Sequence, residues 1–81
     1  MIETKIDIKL NTIEKIKNFV SITNSFNEEE ITILSHRYEV DAKSIMAIFA
    51  LNLLESITVC LYSDNPRIID IFTAKMEEFK I

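Results

Sequence analysis

The chain is predicted to be an α+β domain of order β-α-β-β-α-β-α, an open-faced sandwich in which a four-stranded antiparallel sheet carries three helices on one face. Segments with period-two alternation of apolar residues interleave with segments of helical spacing. No helix among them has apolar residues enough for a core of its own, so the economical packing lays them on one sheet. The 81 residues are read as a single domain, 1–81. A chain of this size buries only about 60 to 65 per cent of its unfolded surface, and 48% apolar residues suffice for that core.

Ile6, Ile8 and Leu10 alternate with Lys5, Asp7 and Lys9, the pattern of a strand with one buried face. Asn11 with Glu14 three residues on reads as a capping box. Ile13, Ile16, Phe19, Val20, Thr23 and Phe26 follow at helical spacing, so the first helix is expected from about Thr12 to Phe26. The acidic run Glu28-Glu29-Glu30 reads as a solvated loop before a β-branched strand at Ile31–Leu34. Ser35-His36-Arg37 connects it tightly to a short strand at Tyr38-Glu39-Val40, with none of the glycine pairs that favour hairpin turns and with His36 as a solvated turn residue.

A helix is expected from Ser44 to about Leu51, then a strand from Ser56 to Tyr62 with Ile57, Val59 and Leu61 on one face and Thr58, Cys60 and Tyr62 on the other. Asp64 or Asn65 caps the last helix, and Pro66 stands at its first position, where a missing amide costs nothing. Ile68, Ile69, Phe72, Met76 and Phe79 form its inward stripe.

Several function classes are excluded by composition. A net charge of −4 offers no basic stripe for phosphates, so direct nucleic-acid binding is not expected and a basic protein surface is the better partner. The absence of glycine removes every Gly-rich phosphate cradle, and no metal-ligand pattern or cofactor site is read. The longest apolar stretch, Ile45 to Leu51 with its extension to Leu54, is broken by Asn52 and is far short of the ~20 residues that span a membrane, so no membrane association is expected. One cysteine and no apolar leader point to the cytoplasm.

The most informative segment is Val40 to Leu51. Ser44 is expected to cap its helix, where free amides and the positive dipole end favour a phosphate. Ile48, Leu51 and Ala47 supply the inward face, which leaves Ile45, Met46 and Phe49 as a clustered apolar patch beside that serine.

Element order and this segment together resemble the histidine-containing phosphocarrier family of the bacterial sugar phosphotransferase system, called HPr. The resemblance covers nearly the whole chain, and Ala42-Lys43-Ser44-Ile45-Met46 with Leu51 resembles the regulatory-serine segment of its Gram-positive members. It implies phosphorylation of Ser44 by a bifunctional kinase, a co-repressor role with a catabolite-control transcription factor, and docking of proteins on Lys43, Ile45, Met46 and Phe49.

The family's second signature is a phosphorylated histidine in a Gly-x-His-x-Arg-Pro pattern at the start of the first helix. Here that stretch reads Asn11-Thr12-Ile13-Glu14-Lys15-Ile16, without histidine, arginine or proline. Asn11, Thr12, Ile13, Glu14 and Lys15 thus form a degenerate version of the loop. Neither Thr12 nor Glu14 can form a phosphoramidate, and the point charge of Lys15 lacks the bidentate fork of arginine. The expectation is a non-enzymatic regulatory domain that binds a kinase, a transcription regulator or a phosphotransferase component. The alternatives are a phosphocarrier with an unorthodox acceptor residue and a structural domain that oligomerises through its sheet.

Overall fold

Ile6, Val59, Ile33 and Val40 stand side by side across one sheet, because Ile6 pairs with Val59, Val59 with Ile33, and Ile33 with Val40. Strand side chains alternate between faces, so this row and its neighbours Ile8, Ile31, Ile57 and Leu61 define the face that the helices cover. The computed structural model describes residues 2–36 and 38–81. Its elements are β1 (Glu3–Ile8), α1 (Ile13–Ser25), β2 (Glu30–Ser35), β3 (Tyr38–Asp41), α2 (Ile45–Phe49), β4 (Ile57–Tyr62) and α3 (Pro66–Met76), with a 3-10 turn at Glu77–Phe79. The strands are antiparallel in the order β1-β4-β2-β3, so the last strand in sequence lies inside the sheet.

The expected order and architecture stand, and the differences lie at element ends. β1 stops at Ile8 because its partner strand begins at Ile57, opposite that residue. Lys9 turns instead to the C-terminal segment, its N–H donating to the Phe79 carbonyl at 2.9 Å, and Leu10 is buried outside any strand. The cap of α1 is Thr12, not Asn11: its backbone is extended and its hydroxyl accepts from the Lys15 N–H at 3.1 Å. Glu14 therefore falls in the first turn without closing a capping box, where it still complements the helix dipole.

Ile16, Phe19 and Thr23 carry the buried stripe of α1. Ile13 shares its phase but is 63% exposed, since it opens the helix where no element lies above it. Asn65 caps α3, accepting from the Arg67 N–H, while Asp64 accepts from the Ile2 N–H and anchors the start of the chain. The inward stripe of α3 runs on through the 3-10 turn to Phe79. There Phe19 and Phe79 meet edge to face with centroids 5.6 Å apart, and Phe26 and Phe72 do the same. This geometry sets a ring's positive edge on the other's negative face.

α2 ends at Phe49 rather than Leu51, closing in short turns from the Ala50 and Leu51 N–H groups to the Ala47 and Ile48 carbonyls. At five residues it has little of the macrodipole that a longer helix would offer an anion. Ile48 is its one fully buried residue; Ile45, expected outside, is half-buried against the core. The β2–β3 turn places His36 at φ 52°, the left-handed region, a cost of about 1 kcal/mol for a residue with a Cβ in a chain that has no glycine to offer. The reading of Arg37 in that connection lies outside the described residues.

Cys60 projects from β4 on the face away from the helices yet is closed over by its neighbours. Burial pushes its thiol above the ordinary range, against the downward pull of the Lys5 ammonium. The native state thus holds the thiol proton more tightly than the unfolded chain does.

Three measurements check this packing. Urea unfolding should place Met46→Glu within about 0.5 kcal/mol of the parent chain, while Ile48→Ala costs about 2–5 kcal/mol. In the native protein Cys60 should react with a thiol reagent only through opening, with labelling rising sharply in denaturant. The sign of the linkage adds that the Cys60 contribution is complete below the ordinary thiol pKa and is lost as pH rises past it. Cys60→Ala should therefore flatten the alkaline fall in stability, and an unchanged pH profile would contradict the burial.

Candidate functional site

The segment Ala42 to Phe49 is held at its base by the last turn of α1. Ala42 is fully buried; its N–H donates to the Ile31 carbonyl at 3.0 Å and its carbonyl accepts from the buried Thr23 hydroxyl at 2.8 Å. The Asn24 amide donates to the Lys43 carbonyl at 3.0 Å. Asp41 accepts from the Lys43 N–H at 2.9 Å, an Asx turn that bends the chain out of β3 and into the cap.

From this base Ser44 caps α2, its hydroxyl accepting from the Ala47 N–H at 3.3 Å while its carbonyl takes the Ile48 N–H. The serine is half-buried. Two residues on, Met46 is 77% exposed, and Phe49, one helical turn further, is 50% exposed. With Ile45 half-buried, the exposed apolar surface of α2 is narrower than the three residues expected and consists of Met46 and Phe49.

Lys43 differs from its expected role. Its ammonium donates to the Phe26 carbonyl at 2.6 Å and the Glu29 carbonyl at 2.7 Å, so its charge is engaged inside the chain rather than offered to a partner. The spacing of residues 43 to 49 carries no sign of this, because both acceptors belong to a distant part of the sequence.

Asn11, Thr12, Ile13, Glu14 and Lys15 lie at the opposite end of α1, most of a 13-residue helix away from the contacts of Lys43, a rise of ~20 Å. The chain after α2 returns to that end. Leu53 and the 82%-exposed Leu54 line a shallow apolar groove with Leu10, Ile13 and Ile16. Ser44 and the α1 start are therefore separate features, linked by α2 and its following loop. His36 joins neither: it is exposed in the β2–β3 turn, and its Nε2 pairs with the Glu55 carboxylate.

The open face of the sheet holds a further feature, which follows from the strand alternation once the register is set. By the strand register, Glu3, Asp7, Glu30, Glu39 and Asp41 face away from the helices, and among the described strand residues Lys5 is the one cation beside them. One Glu39 carboxylate oxygen accepts from the Thr32 hydroxyl at 2.9 Å and the Tyr62 hydroxyl at 3.0 Å. Among the described residues, no group of three metal-ligating side chains converges there or elsewhere.

No protein-family model and no curated protein matches the chain. Solved structures do. The HPr-C-His protein of Thermoanaerobacter tengcongensis aligns over 95% of this chain and 97% of its own length, with a TM-score of 0.66 and 24% identity. The phosphocarrier protein HPr of Bacillus anthracis aligns over 91% and 94%, with a TM-score of 0.64 and 25% identity. Strand order, helix placement and near-complete coverage of both partners agree, and the chain has the open-faced sandwich fold of the HPr phosphocarriers.

Proposed function

We propose that this chain is a regulatory, protein-docking relative of the HPr carriers, that it acts without histidine phosphotransfer, and that Ser44 is the residue whose modification controls it. The observation that carries the reading is the character of the surface at both places where an HPr-like protein would meet its partners. At the α1 start an exposed isoleucine, Ile13, stands in a groove with Leu53 and Leu54. Beside Ser44 stand Met46 and Phe49, more exposed than core packing requires. The chain's one histidine is elsewhere, in the β2–β3 turn.

Apolar side chains that remain exposed at a fixed site are suited to association, since a partner removes their surface from water. They are unsuited to transfer: a carrier needs a nucleophile that accepts phosphate and releases it, and no side chain from Asn11 to Lys15 offers an imidazole nitrogen. A phosphate on Ser44 would bring about −1.5 to −2 charges next to Met46 and change which surfaces can dock there. The partners that fit are those of the resemblance: a kinase acting on Ser44, and a regulator or phosphotransferase component that reads the apolar side chains.

Two phosphorylation experiments test the reading. With ATP and the family's serine kinase, the protein should take up one phosphate that Ser44→Ala abolishes. With phosphoenolpyruvate and the first enzyme of the phosphotransferase system, no acid-labile phosphate should form. Absence of Ser44 labelling under conditions that label a standard HPr would reject the regulatory role, and acid-labile phosphate on His36 would reinstate a carrier.

A further inference from the structure

We infer that Lys43 is a positioning residue, the pin of a clamp through which the C-terminal end of α1 sets the conformation of α2 and so presents Ser44, Met46 and Phe49. The functional consequence rests on the docking role proposed above; the clamp itself does not. A helix of five residues cannot hold its own shape in water, so something outside it must fix its direction. Ile48 gives it one buried anchor. Together with the half-buried Ile45 it holds one side of the helix to the core, but neither contact fixes the backbone that leads into the helix.

Besides the Ala42 N–H bond to the Ile31 carbonyl and the Asp41 turn, further constraints come from α1. Thr23 binds the Ala42 carbonyl and Asn24 the Lys43 carbonyl, adjacent acceptors that receive donors from adjacent residues of the last helical turn. Lys43 reciprocates, its ammonium reaching back to the Phe26 and Glu29 carbonyls. The last turn of α1 contains no basic residue, and Phe26 is its C-cap. The ammonium of Lys43 supplies from outside the cation that the negative end of a 13-residue helix lacks. Charge and geometry thus coincide at one side chain: Lys43 satisfies the end of α1, and by doing so it fixes the residue immediately before the Ser44 cap.

The clamp predicts a local effect, which separates positioning from general stabilisation. Amide hydrogen exchange reads it directly, because the N–H groups of Ala47, Ile48, Ala50 and Leu51 are bonded within α2 and its closing turns. In Lys43→Met, which keeps the apolar stem and removes the donors, these amides should exchange roughly tenfold faster relative to those of β4. Asn24→Ala, an exposed substitution with little bearing on folding, should move the same amides in the same direction by a smaller factor. Lys43→Arg, which retains the cation and its donors, should keep most of the protection.

Equal acceleration across α2 and β4, or unchanged α2 exchange in both Lys43→Met and Asn24→Ala, would overturn the inference. Because exchange needs neither kinase nor partner, this result is independent of whether Ser44 is modified. Unlabelled Ser44 with a responsive clamp would reject the proposed function alone, and labelled Ser44 with an unresponsive α2 would reject the clamp alone.

Discussion

The whole structure depends on the insertion of β4 between β1 and β2. This strand pairs with both, so its Ile57, Val59 and Leu61 contribute the middle row of the apolar face on which the helices pack. The pairing is non-local: β1 meets β4 at Glu3 opposite Tyr62 and at Ile8 opposite Ile57, with more than half of the chain looped between them. Until β4 is placed, β1 has no neighbour in the sheet, and the closure entropy of that loop opposes the contact. The C-terminal segment completes the same edge, since Ile8 bridges Lys80 and Lys9 bonds to Phe79 just where Phe79 meets Phe19.

A sheet packed on one side has a second side facing water, and the two faces of this one have separate chemistry. The helix side is closed by branched aliphatics and edge-to-face aromatic pairs. The open side concentrates carboxylates and hydroxyls, bonded across strands as in the pairs Thr58 to Asp7 and Thr32 to Glu39. In Tyr62 the Thr32 hydroxyl favours the ionised phenol, but Glu39 and partial desolvation outweigh it and raise the pKa, so the phenol stays a donor. The candidate docking features lie on neither sheet face but around α1, where short irregular segments meet its two ends.

The absence of glycine shapes these segments. A hairpin turn needs a left-handed residue, and His36 takes that conformation. Helix ends commonly rely on a left-handed glycine to satisfy their last carbonyls. α1 instead ends at Phe26, whose carbonyl is met by the Lys43 ammonium, and α2 ends by tightening into short turns. One missing residue type thus moves part of the burden of helix termination onto side chains from elsewhere in the chain.

The amino-acid sequence by itself determined the order of elements, because strand and helix periodicities are local and extend over whole segments: Ile6 with Ile8, Ile57 through Leu61, Phe72 with Met76. It also determined Ser44 as a cap and Met46 and Phe49 as outward residues, since both follow from position within a helical turn. Only the tertiary structure decided where β1 stops, that Ile13 opens onto solvent, that Ile45 tucks inward, and that Lys43 spends its charge on Phe26 and Glu29. Each of those depends on a partner from another element, and local spacing carries no information about which groups the fold will bring within hydrogen-bonding distance.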